Sequence, residues 1–110
     1  MNDNQIVFNQ VKLHLLTQKA WSLDHNDMPR YRGRNGRKCG IGSLIPDRLY
    51  TPAMEKKLAS KVKRLWPEAI PYRVSDKFLD EFQEIHDEYE PHEWWWMLDR
   101  FAKKWGLTER

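Results

Sequence analysis

With only one cysteine in 110 residues, the chain cannot close an internal disulfide, so packing and polar contacts alone must hold it together. No apolar run approaches the roughly 20 residues that a membrane-spanning helix needs, which excludes a membrane span. The opening Met1-Asn2-Asp3-Asn4-Gln5 lacks the basic start and apolar stretch of a secretory signal. Together with the lone cysteine, this gives a reducing cytoplasm as the expected location. Metal ligation also lacks its usual spacing. Besides Cys39 the ligand types are His14, His25, His86 and His92, scattered without the paired arrangement that zinc sites use. No metal and no cofactor is expected, and there is neither an internal repeat nor a low-complexity segment.

What the chain does have is rings and charge. Six Trp, four Tyr and four Phe let a single small domain, 1–110, bury enough apolar area to fold without covalent staples. The net charge of +3 conceals a division: residues 1–73 carry 14 basic against 6 acidic side chains, residues 74–110 carry 5 against 10. Such opposed fields serve an anionic partner, a cationic partner, or each other.

Periodicity places the helices. Val7, Val11 and Leu15 recur every fourth position, with Phe8 and Leu16 beside them and Asn2 or Asp3 available as a cap, so a first helix runs to Gln18. Residues 21–38 break the pattern and contain Asn35-Gly36, a hairpin signal, and read as a loop or a short two-stranded ribbon. Residues 39–45 are small and apolar, and read as a buried helical turn. Thr51 as N-cap, Pro52, and then Met54, Leu58, Val62 and Leu65 predict a helix that stops at Pro67, with Lys56, Lys57, Lys61, Lys63 and Arg64 on its other sides. Ser75 caps a further helix along Phe78, Phe82, Ile85 and Tyr89. Pro91 opens the last one, which Gly106 closes before a final three residues expected to fray. The fold class is therefore mainly α: a bundle of four to five helices with an irregular basic loop or short β-ribbon between the first helix and the rest.

Four features carry possible chemistry. Cys39 follows a run of cations and would be a reactive thiolate at the start of a short helix, or else a small packing residue; no histidine is spaced to complete a catalytic set. Arg30, Tyr31, Arg32, Arg34, Arg37 and Lys38 suit a phosphate backbone and a stacked base, and the competing reading is a solvated loop. The row Asp76, Asp80, Glu81, Glu84, Asp87 and Glu88 repels itself at i, i+4 spacing, which a cationic partner or the Lys-rich helix would relieve. Trp94, Trp95 and Trp96 span about 200° of a helix, so at least one indole reaches the surface, and a protein–protein contact is expected near Trp94 or Trp96.

Tyr31-Arg32-Gly33, Gly36-Arg37-Lys38-Cys39-Gly40-Ile41-Gly42, Leu44-Ile45-Pro46-Asp47 and Tyr50, followed by Ile85-His86-Asp87 and Trp94, resemble a pattern of short uncharacterised proteins of tailed bacteriophages and prophages. The chain departs from that pattern at Gly40, where alanine is expected. The resemblance implies an origin in the host bacterial cytoplasm and no mechanism. The expected function is an accessory protein that binds, and in doing so inhibits, a host protein. The alternatives are nucleic-acid binding through the 30–38 loop and a cysteine-dependent enzyme.

Overall fold

The computed structural model describes residues 2–109. Four helices make the frame: α1 (Asp3–Gln18), α2 (Ala59–Leu65), α3 (Asp76–Glu88) and α4 (Trp94–Lys104). Helix α1 starts where Asn2 Oδ1 accepts the Gln5 N–H at 2.9 Å, satisfying one of the amides that a helix start leaves open. It ends at Lys19, whose left-handed backbone (φ 55°) returns its N–H to the Leu15 carbonyl. Ser75 caps α3 through the Phe78 N–H. Beyond α4, Gly106 (φ 66°) lets the Leu107 N–H reach the Ala102 carbonyl at 2.8 Å, a closure that favours glycine.

The apolar faces of α1, α3 and α4 meet in a column of rings. Phe82 and Phe101 stack at 4.4 Å, Phe8 lies 5.8 Å from Phe82, and Phe78 meets Phe101 at 5.3 Å and Trp105 at 5.2 Å. Such pairs add about 0.5–1.5 kcal/mol each beyond the area they bury. The mainly helical bundle expected from periodicity is what forms.

Between α1 and α2 the chain is irregular, as expected, and the ribbon reduces to two isolated antiparallel bridges, Leu23 with Pro29 and Arg32 with Lys38. Asn35 (φ 60°) and Gly36 (φ 71°) turn the chain as an Asn-Gly hairpin does. The tight turn Gly42–Leu44 then packs on α1, with Ile41, Leu44 and Ile45 buried. Gly42 is required by close approach: a Cβ there would lie 2.2 Å from the Tyr31 carbonyl oxygen. Gly40 is comparably confined, since a Cβ would lie 2.6 Å from Val11 Cγ1 and 3.0 Å from His86 Cε1.

Two expectations need correction. The helix predicted from Pro52 to Leu65 is split. A short turn at Pro52–Met54 stops, Lys56 takes a left-handed backbone (φ 63°), and α2 begins only at Ala59. Met54 and Val62 are buried as predicted, but Leu58 and Leu65 are exposed. Tertiary hydrogen bonds override the periodicity here. The Glu55 carboxylate, its side chain 8 % exposed, accepts the N–H groups of Tyr31 (2.9 Å) and Arg32 (3.1 Å) and the Tyr50 hydroxyl (2.6 Å). Side chains of α3 supply the missing N-cap of α2: Gln83 Oε1 accepts from Ala59 N and Asp80 from Ser60 N, both at 2.9 Å. The second correction concerns the C-terminal residues expected to fray. Thr108 is held by Gln5 in both directions (2.8 and 2.9 Å), and Glu109 pairs with Lys12 at 2.6 Å; Arg110 lies outside the described residues.

Glu55→Ala strands two amides and the Arg30 guanidinium in a half-buried site and is expected to lower unfolding stability by about 3 kcal/mol, with Glu55→Gln losing less, as read from urea midpoints. Gly42→Ala should be worse than Gly36→Ala, because the former meets fixed backbone. The latter pays only for its positive φ, about 1 kcal/mol, since nothing lies within 4 Å of the added carbon.

Candidate functional site

The structure separates the residues singled out as a basic loop. Arg30 Nε lies 3.5 Å from Glu55, Arg32 is 2.6 Å from Asp47 and bonds the Ile45 carbonyl at 2.5 Å, Arg34 is 2.9 Å from Asp27, and Lys38 is 3.3 Å from Asp47. These two cations hold the Asp47 carboxyl below its ordinary range. Arg32 also stacks over Tyr50 at 5.0 Å. Arg37 is exposed and has no ion-pair partner among the described residues. Tyr31, expected to stack on a base, is instead 3 % exposed. Its hydroxyl donates to the Lys57 carbonyl and accepts from Gln83 Nε2 at 3.0 Å. A ring spent on the core is not free to stack, so the loop lacks the aromatic half of a nucleic-acid surface.

Cys39 is 6 % exposed, and its Sγ accepts the Gly42 N–H at 3.2 Å. Burial, with Asp87 nearby, pushes the thiol pKa up, opposite to the direction a nucleophile needs. The packing alternative describes this residue. His14 bonds the Lys38 carbonyl at 2.7 Å, and His25 and His92 are exposed. Glu90, His92 and Glu93 bring one ligand atom each within 4.8 Å of one another at the surface, with Glu93 already accepting the Glu90 N–H at 3.2 Å.

The three tryptophans part company as the 100° step demands. Trp94 is core (1 % exposed) and donates to the Tyr89 carbonyl at 3.0 Å, which removes it from any docking surface. Trp96 is half-buried, with Arg100 5.8 Å above its ring. Trp95 is 66 % exposed and lines a groove of about 440 Å³ with Leu16, Lys12, Asp99 and Glu109. Leu13, one turn before Leu16 on α1, is 71 % exposed. Sequence reasoning missed Leu13, although its place outside the Val7, Val11, Leu15 row was visible.

A second, larger cleft of about 670 Å³ lies between α3 and the wall formed by Pro29, Tyr31, Cys39 and Lys57. The acidic row is only partly neutralised there. Arg64 reaches Asp76 at 3.1 Å, Asp80 is spent on capping α2, and Glu81 is held by Lys104 and by Trp105 Nε1 at 2.7 Å. At the inner end, Asp87 is pushed up to about 7 by burial and by Glu88. His86, 2 % exposed, has no hydrogen-bond partner on either ring nitrogen. The Phe82 carbonyl one turn back opposes its shift without reaching bonding geometry, and burial and His14 push it down to about 3.

Comparison with known proteins finds no match to a family model, to a curated protein or to a solved structure. The site must therefore be read from its own chemistry.

His86 and Asp87 give opposite pH dependences. Below its ordinary 6.5, unfolded His86 takes up a proton that the folded residue refuses until about 3, so its contribution to stability falls with acid. Folded Asp87 keeps a proton that the unfolded residue loses above 3.8, so its contribution is full below 3.8 and is lost as pH rises through about 7. Between those limits the two slopes cancel. Relative to wild type, Asp87→Asn should make stability rise more steeply with pH across that window and His86→Leu less steeply, each by up to about 1.4 kcal/mol per pH unit. Urea titrations at several pH values would read the difference, and parallel slopes for all three proteins would refute it.

Proposed function

We propose that the chain is a binding protein whose working surface is the Trp95 face of α1 and α4, and that it acts by docking on another protein. The observation that carries this reading is the exposure of Trp95, 66 %, in a groove that Leu16 also lines, with Leu13 71 % exposed one turn away. Large apolar side chains in water gain free energy when covered, at roughly 25 cal/mol per Å². Tryptophan is prominent among the residues that carry binding energy at interfaces. The rim of this groove is already neutral: Lys12 pairs with Glu109 at 2.6 Å and Asp99 with Lys103 at 3.0 Å. A self-neutralised rim around an indole favours an uncharged, apolar ridge, such as one face of a partner helix, over nucleic acid or a strongly charged peptide.

The resemblance to short phage and prophage proteins makes a host protein in the bacterial cytoplasm the expected partner, and occupation of its surface by this chain the means of inhibition. Internal pairing of Arg30, Arg32, Arg34 and Lys38 and burial of Tyr31 weigh against the nucleic-acid alternative. The raised thiol pKa of Cys39 weighs against the cysteine enzyme.

Trp95→Ala should leave stability within about 0.5 kcal/mol, as for an exposed site, while weakening capture of a partner from bacterial lysate by about 30-fold, the loss of a hot-spot side chain. Leu13→Glu should act in the same direction, and Arg34→Ala with Arg37→Ala should leave capture unchanged. Capture that survives both Trp95→Ala and Leu13→Glu would overturn the proposal. Self-association in sedimentation that depends on Trp95 would also overturn it, by assigning the face to a second copy.

A further inference from the structure

The residues that follow α4 lie in the same channel as Trp95. Gly106 turns the chain back with a left-handed backbone (φ 66°), and the contacts of the next residues climb α1 in order. Thr108 meets Gln5, Glu109 meets Lys12 at 2.6 Å, and Lys12 and Glu109 line the groove of about 440 Å³ together with Leu16 and Trp95. From Gln5 to Lys12 is about 10 Å along the helix axis, and from Lys12 to Leu16 about 6 Å. Residues 107–109 are therefore a strap in the lower part of a channel whose upper part holds the exposed indole.

The way the strap is held shows what kind of backbone the channel accepts. The Gln5 side-chain amide grips one residue twice: its Oε1 accepts the Thr108 N–H at 2.9 Å, and its Nε2 donates to the Thr108 carbonyl at 2.8 Å. The N–H and carbonyl of one residue point to the same side in extended backbone, as where paired strands exchange both bonds. The Thr108 hydroxyl adds a third bond to the same Gln5 oxygen at 3.1 Å. This grip is weak, because Thr108 is exposed and polar contacts in water contribute little. Leu107 is held more firmly, since its N–H closes the end of α4 on the Ala102 carbonyl.

We propose that an extended segment of the partner enters this channel, displaces Thr108 and Glu109, and continues past them to Trp95. The inference rests on the reading of Trp95 as a docking site and specifies the backbone that docks there. Gln5 takes the backbone of the entering segment, as it takes that of Thr108. A carboxylate of the segment replaces Glu109 on Lys12, which keeps the rim neutral because Asp99 is already paired with Lys103 at 3.0 Å. A large apolar side chain then covers Trp95 and Leu16. The spacing follows from the two rises: extended chain advances about 3.3 Å per residue, so the step of about 6 Å from Lys12 to Leu16 is two residues. Residues two apart also face the same side of an extended chain. The acid and the apolar residue are thus separated by one residue. Covering Trp95, which is 66 % exposed, is what the segment gains over the strap, whose advantage is its high effective concentration.

Fluorescence anisotropy with the whole chain tests the proposal, using the peptide STESF labelled with fluorescein at its amino end and amidated at the other. Saturable binding is expected below about 1 mM. The peptides STESA and STQSF should each bind about tenfold more weakly or worse, and STEFS, which turns its ring to the opposite face, should lose as much. Trp95→Ala should weaken STESF by about tenfold or more. Glu109→Gln should tighten it by about threefold or more, because it loosens the competitor; a purely structural role of Glu109 would produce no such gain. Hydrogen exchange reads the displacement, and the Thr108 amide should exchange faster with STESF bound. The proposal fails if STESF does not bind by about 1 mM, or if STEFS binds as well as STESF. It also fails if Glu109→Gln does not tighten binding, or if the Thr108 amide stays protected in the complex. Any of these results beside an intact, Trp95-dependent capture from lysate would remove the extended segment and leave the docking face standing.

Discussion

The arrangement of the middle of this protein rests on one buried carboxylate. Glu55 accepts the backbone amides of Tyr31 and Arg32 and the hydroxyl of Tyr50, and stands beside the Arg30 guanidinium. A carboxylate is stable in such a place only when its lone pairs are filled, and filling them requires the 30–38 loop and the 50–58 segment to meet in one geometry. Three consequences follow. The helix that Met54, Leu58, Val62 and Leu65 would otherwise make is interrupted, Tyr31 is drawn inward onto the Lys57 carbonyl, and the wall opposite α3 is fixed at a distance that leaves a cleft.

The two charge fields are neutralised in a way their totals do not suggest. Arg30, Arg32, Arg34 and Lys38 pair with Asp27, Asp47 and Glu55, acids of their own basic region, while α3 takes Lys104 from its own acidic region and Arg64 from α2. Pairing follows proximity in the fold, because a charge separated by more than the Debye length, about 8 Å at physiological salt, attracts weakly. Opposed fields in sequence meet in the fold at only a few ion pairs, Arg64 with Asp76 and Lys12 with Glu109 among them. Among the acids left unpaired, Glu84, Asp87 and Glu88 share one stretch of α3.

Much of the frame was legible in the sequence. The caps Asn2 and Ser75, the terminator Gly106 and the rings at Phe8, Phe78, Phe82 and Phe101 place α1, α3 and α4, because caps and periodicity are local and the structure agrees with them locally. The 59–65 helix was not legible, since its start is defined by Gln83 and Asp80, some 20 residues away in sequence. The candidate site was legible in the same uneven way. The division of the tryptophans follows from the helical angle alone, and Trp95 could have been reached by noting that Trp94 aligns with Leu98 and Phe101. The burial of Tyr31 could not, because a tyrosine between arginines looks like a binding residue until a carbonyl from another segment claims its hydroxyl. Gly40 is instructive in another way. A residue that stands apart from the resembling pattern sits where a Cβ would press on Val11 and His86, so this chain packs its His86 neighbourhood more tightly than an alanine there would permit.

That tightness bears on why the cleft keeps its charge. A chain selected only to fold gains nothing from a half-buried Asp87 beside Glu88, nor from an imidazole with two idle nitrogens; apolar groups of similar volume in both places would remove two desolvation penalties. Local rules are broken in native proteins mainly where something other than folding uses the residues. The same reasoning applies to Trp95, whose exposed ring is unfavourable only while it faces water. Asp87 beside Glu88 and the exposed ring of Trp95 are thus each held at a cost that no contact among the described residues offsets.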